Sequence, residues 1–180
     1  LLSALQREPF AASKVRLSVI GFAEDAVTYL RLADLRSLEA IPMLRARGSS
    51  TSYRAAFDQV GACISQDVPS LKSQGFLVNR PVVFFLTDGV PDVTEDWLAA
   101  RDYLLARRTA PNILSFGIGE AQGASVARVS TDPQNYAFLA TEGADTGSAV
   151  TKFMTALTES VVSSGQAVAS AKAAMRLEKP

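Results

Sequence analysis

The chain has 180 residues, 48% of them apolar and 20% charged with no long polar tract, the make-up of one globular domain that buries a core without disulfides or a structural metal. Eighteen Lys plus Arg balance eighteen Asp plus Glu, which argues against nucleic-acid and anionic-membrane partners, and the absence of histidine removes Ser-His-Asp and Cys-His catalysis and His-ligated zinc or haem. The lone Cys63 forbids an internal disulfide and no apolar run is long enough to span a bilayer, so the expectation is a cytoplasmic domain whose chemistry rests on carboxylates, hydroxyls or lysine.

In chain order, residues 1–8 read as the tail of an amphipathic helix ended by Pro9. Val15 to Phe22 (VRLSVIGF) alternates apolar with polar or small residues, and Ala26 to Leu32 is a β-branched and aromatic run. Only Ala23-Glu24-Asp25 separates them, and so short a link closes an antiparallel hairpin, never a parallel pair. Leu35 to Leu44 is short-helix or loop material. The cluster Gly48-Ser49-Ser50-Thr51-Ser52 then precedes a helix over Tyr53 to Val68, with Ala56, Val60, Cys63 and Ile64 at helical spacing and Pro69 closing it.

Val82 to Leu86 (VVFFL) is apolar without alternation, as a strand covered on both faces reads, and it runs directly into Thr87-Asp88-Gly89. Glu95 to Arg108 is a helix with Trp97, Leu98, Leu104 and Leu105 available to its buried stripe. Asn112 to Ile118 and Tyr136 to Ala140 are strands, with a short helix over Ala124 to Ser130 between them. Gly147 to Ser164 is a longer helix with Val150, Phe153, Met154, Leu157 and Val161 on one face. The fold class is therefore α/β: a doubly wound, mostly parallel central sheet with one antiparallel edge strand and helices on both faces. Residues 1–166 form the domain and residues 167–180 a helix or linker tail.

Asp88 follows a buried strand directly, at the carboxyl edge where open α/β sheets place their ligands. Hydroxyls of the cluster before the second helix lie at a neighbouring edge. Carboxylate, hydroxyl and water are hard donors that suit Mg²⁺, or Mn²⁺ or Ca²⁺, better than copper or zinc. The bland readings stay open: the hydroxyls serve as N-caps, and the Asp-Gly pair merely turns the chain. Gly117-Ile118-Gly119 with Gly123 misses the dinucleotide-loop spacing by one place, and no P-loop occurs. Cys63 and Trp97 fall on core faces, while Arg45, Arg47, Arg107 and Arg108 read as solvated charges.

The run VVFFLTDGVPD, with GSSTSYRAAFDQVGACI before it and NILSFGIG after it, resembles the von Willebrand factor A domain, most of all the bacterial tellurium-resistance TerY type. That resemblance implies a metal-ion-dependent adhesion site, in which Thr51 matches the threonine of the second loop and Asp88 the aspartate of the third. It implies a non-enzymatic module that binds Mg²⁺ and, through it, an acidic side chain of a partner protein in a bacterial stress system, with no nucleic acid, membrane or small-molecule substrate. The D-x-S-x-S loop and the first central strand of that family have no counterpart here; Asp145-Thr146-Gly147-Ser148 is one residue short and reads as a helix cap. The expectation is that polypeptide before Leu1 supplies both, leaving a gap between the strands at Val15 to Phe22 and Val82 to Leu86. The alternatives are a metal-independent scaffold of the same fold and, against the Leu86 that stands where a nucleophilic aspartate is needed, a Mg-dependent phosphotransferase or phosphatase acting through Asp88.

Overall fold

The computed structural model describes residues 6–7, 9–45, 48, 50–140, 147–148, 150–155, 157–159 and 163. In chain order the elements are α1 (Pro9–Lys14), β1 (Arg16–Phe22), β2 (Ala26–Asp34), α2 (Tyr53–Ser73), β3 (Val82–Thr87), α3 (Trp97–Leu105), β4 (Asn112–Gly117), α4 (Gly123–Val129), α5 (Pro133–Tyr136) and β5 (Ala137–Leu139). Residues 150–155 and 157–159 are helical, whereas Asp145, Thr146, Val161 and residues 164–180, tail included, lie outside the described residues. No helix among the described residues is long and apolar enough to cross a membrane.

The strands form two separate sheets. β1 and β2 pair antiparallel from Phe22↔Ala26 to Arg16↔Asp34, with irregularities around Val19. There Leu32 takes a left-handed conformation (φ 49°) and donates its N–H to the Ser18 hydroxyl at 2.9 Å. β3, β4 and β5 pair parallel in that order, Val82 opposite Asn112 and Ser115 opposite Ala137. This is the expected α/β architecture with an antiparallel hairpin at one side, and no backbone ladder joins β1 to β3.

Successive residues of a strand face opposite sides of the sheet, so β3 and β4 split their side chains between two cores. Phe85 and Ile113 join Tyr53, Phe57, Ile64 and Val68 of α2 and Trp97 and Leu104 of α3. Phe84, Leu86, Leu114 and Phe116 face Leu35 and the helical Phe153 and Leu157, with Val15 and Leu17 against the same cluster. In the first core Phe85 lies 5.0 Å from the Phe22 and Tyr53 rings and stacks on Phe57 at 5.6 Å. Cys63 is buried beside the Thr28 hydroxyl (3.5 Å), as its helix face requires.

Several element boundaries correct the sequence reading. Residues 6–7 and Pro9–Lys14 are helical and Glu8 lies outside the described residues, so helix continues in the chain beyond Pro9. Pro69 lies inside α2, which runs on to Ser73; Pro69 and Ser65 are both exposed, so water can satisfy the Ser65 carbonyl left without its helical donor. Asp96 caps α3 through Ala99 N–H and so starts that helix later than Glu95. Residues 35–44 form a turn and loop with no helix. Arg107 is not a free surface charge: it donates to the Gly61 carbonyl and Ser65 hydroxyl, each at 2.8 Å, and tethers α3 to α2.

Phe57→Ala removes a ring stacked against both Phe85 and Trp97, and a loss of about 3–5 kcal/mol in urea unfolding free energy is expected. Acid tests a second contact. Hydrogen bonds from the Arg36 side chain and backbone, with Arg16 adding its charge, hold the Asp34 carboxyl well below the usual carboxylate range. A carboxyl depressed in the folded state stabilises it above the unfolded pKa of ~3.9, and that contribution is lost as pH falls below it. In a carboxyl-carbon NMR titration the Asp34 midpoint should rise toward ~3.9 in Arg36→Ala; an unmoved midpoint would refute the assignment.

Candidate functional site

The carboxyl ends of β1 and β3 meet at one rim with the first turn of α2. Three backbone hydrogen bonds assemble it: Ser52 N–H to the Ala23 carbonyl (2.7 Å), Asp92 N–H to the Thr51 carbonyl (3.1 Å) and Glu120 N–H to the Asp88 carbonyl (3.1 Å). Of the hydroxyl cluster, Ser52 is the residue that caps α2, accepting from Ala55 N–H at 3.0 Å. Ser49 lies outside the described residues.

Thr51 and Asp88 lie at the same rim. A Cβ placed on Gly89 would sit 2.8 Å from the Thr51 hydroxyl oxygen, so that hydroxyl lies directly over the residue next to Asp88. On the other side the left-handed Gly119 (φ +56°) approaches Asp88 closely, its notional Cβ 3.8 Å from that of Asp88. Asp88 is exposed and Thr51 half-buried, and neither side chain hydrogen-bonds to any described residue.

Their neighbours, by contrast, are internally satisfied. The Tyr53 hydroxyl donates to the Gly89 carbonyl (3.1 Å) and lies 3.2 Å from the buried Thr87 hydroxyl oxygen, which accepts from Gly89 N–H at 3.3 Å. Burial pushes the Tyr53 phenol up, partly offset by its bond to Thr87 and reinforced by the charge of Asp88, so it stays a donor at neutral pH. Asp92 accepts from the backbone and hydroxyl of Thr94 (2.9 and 2.7 Å), bonds that lower its pKa and turn the loop after Pro91.

The sequence reading missed Tyr53 and the β4 to α4 loop. An aromatic residue with a polar tip in the first turn of a helix beside a strand-end Thr-Asp-Gly was the available signal for Tyr53. No group of three or more Asp, Glu, Cys or His side chains converges among the described residues, so the rim holds a hydroxyl and carboxylate pair, not a carboxylate cage.

No protein-family model matches the sequence, and no curated protein matches it. Solved structures do. Proximal thread matrix protein 1 from the mussel byssus superposes with TM-score 0.54 at 16% identity, over 89% of this chain and 39% of that one. A second structure of it, described as having a zinc-occupied MIDAS motif, gives TM-score 0.56 at 13% identity over 77% of this chain and 38% of that one. The fold is von Willebrand factor A-like. The chain spans about two fifths of the length of those neighbours, 38 to 39%.

Gly89→Ala should displace the Thr51 side chain, since an alanine methyl would fall 2.8 Å from its hydroxyl, at a cost of about 1–3 kcal/mol. Thr51→Ala in the same molecule removes the clashing atom, and the double variant should regain most of that stability in urea unfolding. A strictly additive pair would contradict the contact.

Proposed function

We propose that the chain is a non-enzymatic interaction module whose rim holds a divalent cation through Thr51 and Asp88 and uses it to bind an acidic group of a partner protein. The observation that carries this reading is the approach of the Thr51 hydroxyl to Gly89, the residue next to Asp88: two hard-oxygen side chains that make no hydrogen bond to any described residue, beside Tyr53, Thr87 and Asp92, which do. A shared fold with a protein described as having zinc in a MIDAS motif supports a cation in general, and Mg²⁺, with Mn²⁺ or Ca²⁺ in its place, follows from the donor chemistry.

When bound, a divalent cation supplies a positive centre able to accept a carboxylate. This chain's own part is positioning. Tyr53 and Thr87 fix the Gly89 peptide, Gly89 leaves room for the Thr51 hydroxyl, and the Ser52 cap holds Thr51 at the start of α2. Water and a further chain segment at the rim would complete the shell. The finer setting, a TerY-like cytoplasmic stress system in bacteria, rests on the resemblance of VVFFLTDGVPD alone.

One observation favours a second reading, a metal-independent scaffold: no third acidic side chain joins Asp88 among the described residues. Mn²⁺ separates the two. Added to the isotope-labelled chain, it should broaden amide signals of residues 50–53, 87–90 and 118–120, with Mg²⁺ competing. Asp88→Ala should weaken the effect about tenfold or more. Uniform broadening, or an effect unchanged in Asp88→Ala, would leave the scaffold reading standing.

A further inference from the structure

At the opposite end of β3 from Asp88 the molecule gathers positive charge. α2 ends in a turn where Gly75 N–H donates to the Lys72 carbonyl (3.0 Å) and Phe76 N–H to the Leu71 carbonyl (3.1 Å), with Gly75 left-handed at φ 84°. A glycine stop of this kind satisfies the last helix carbonyls with backbone donors and turns the chain back across the helix end. Residues 78–81 then lead into β3, and residues 108–110 lead from α3 toward β4. Between these two strand entries and the last turns of α2 lies a recess of about 190 Å³.

The floor of the recess belongs to the core: Val68 is buried in the cluster around Phe85, and Val78 packs against the same cluster. Its wall is cationic. Lys72, Arg80 and Arg108 line it, no acidic residue does, and none of the three forms an ion pair with any described residue. Elsewhere Arg16, Arg31, Arg36, Arg54 and Arg101 each pair with an aspartate. Arg80 is held by a neutral group instead, donating to Asn112 Oδ1 at 3.2 Å, which fixes the guanidinium and leaves its charge uncompensated. The side chains of Lys72, Arg108, Asn79 and Thr109, all lining the recess, make no hydrogen bond to any described residue.

Charge and size together select a ligand. The carbonyl ends of α2 and α3 contribute about half a negative charge each against three full positive ones, which leaves roughly +2. That balance matches a dianion and exceeds what one carboxylate neutralises. The volume holds about six waters at ~30 Å³ each and falls below the ~300–1,000 Å³ of small-molecule pockets, so it admits one compact group and not a nucleotide.

We infer that this recess binds a phosphomonoester group. Such a group carries about −1.5 to −2 at neutral pH and three acceptor oxygens. Arg80 and Arg108 would donate N–H bonds to those oxygens, Lys72 adds a point charge, Asn79 and Thr109 supply neutral donors, and Val68 and Val78 face the ester's carbon stem. Inorganic phosphate and a phosphoserine on a partner protein share this chemistry. The site is separate from the rim and does not depend on a cation there.

Amide chemical shifts of the isotope-labelled 180-residue chain test it, with inorganic phosphate added at constant ionic strength. The shifts should saturate and centre on residues 68–72, 78–80 and 108–110. Arg80→Gln and Arg108→Gln should each weaken binding about fivefold, as the loss of one exposed charge pair does, and acetate should bind the parent chain about fivefold more weakly than phosphate. Arg36→Ala should change nothing. Arg108 makes no internal hydrogen bond, so its variant decides the matter even where Arg80→Gln disturbs the start of β3. A short phosphoserine peptide beside its serine counterpart separates the sources: binding tighter than inorganic phosphate assigns the site to a partner protein, equal or weaker binding to the free anion. Shifts that do not saturate, that spread beyond the recess, that acetate reproduces equally, or that Arg108→Gln leaves unchanged overturn the inference.

Discussion

The two sheets share no backbone hydrogen bond, so what joins them is side-chain packing: α2 lies across both, Phe22 meets Phe85 directly at 5.0 Å, and Leu17 shares the second core with Phe84 and Leu86. Tyr53 and Phe57 sit on Phe85 of one sheet, and Tyr53 meets the edge of Phe22 from the other at 6.1 Å. Trp97 closes the cluster from α3 at 5.3 Å from Tyr53. Aromatic pairs of this kind contribute ~0.5–1.5 kcal/mol each beyond the area they bury. Arg31 adds a second link between the hairpin and the same helix through Asp67, at 2.8 Å.

The rim inherits its geometry from that packing. Because Tyr53 is both a core ring and the donor to the Gly89 carbonyl, the residue that joins the sheets also fixes the turn beside Asp88. The hydroxyl of Thr87 is buried and shared within the same network, whereas the side chains of Thr51 and Asp88 make no hydrogen bond to any described residue. Among the described residues, no buried side-chain nitrogen or oxygen lacks a partner.

Much of this was legible from local chemistry. The three-residue link at Ala23-Glu24-Asp25 could close only a hairpin, and the unbroken run VVFFL is the strand it read as, with Asp88 at its end, though Val82 is exposed and Val83, Phe84 and Leu86 are half-buried. That hydroxyls before α2 lie near the end of β3 followed from placing a helix start and a strand end at one sheet edge, whereas the choice of Thr51 among them came from the resemblance. Proline misled at Pro69, because its cost depends on whether the lost hydrogen bond is needed, and there water can replace it. Arg107 was misjudged because its partners, Gly61 and Ser65, lie on another helix some forty residues away, beyond any periodicity. The short α5, capped by Asp132 through Asn135 N–H, was hidden in an otherwise unremarkable Thr-Asp-Pro sequence.

A formal charge of zero conceals a marked asymmetry. The rim turns carry Glu24, Asp25, Asp88, Asp92, Glu95 and Glu120, while Lys72, Arg80 and Arg108 line a recess at the far ends of α2 and α3, beside the start of β3. These are local patches of opposite sign among the described residues, and the acidic one favours an approaching cation near the rim before any contact forms, a bias that weakens as salt shortens the screening length to about 8 Å at physiological ionic strength.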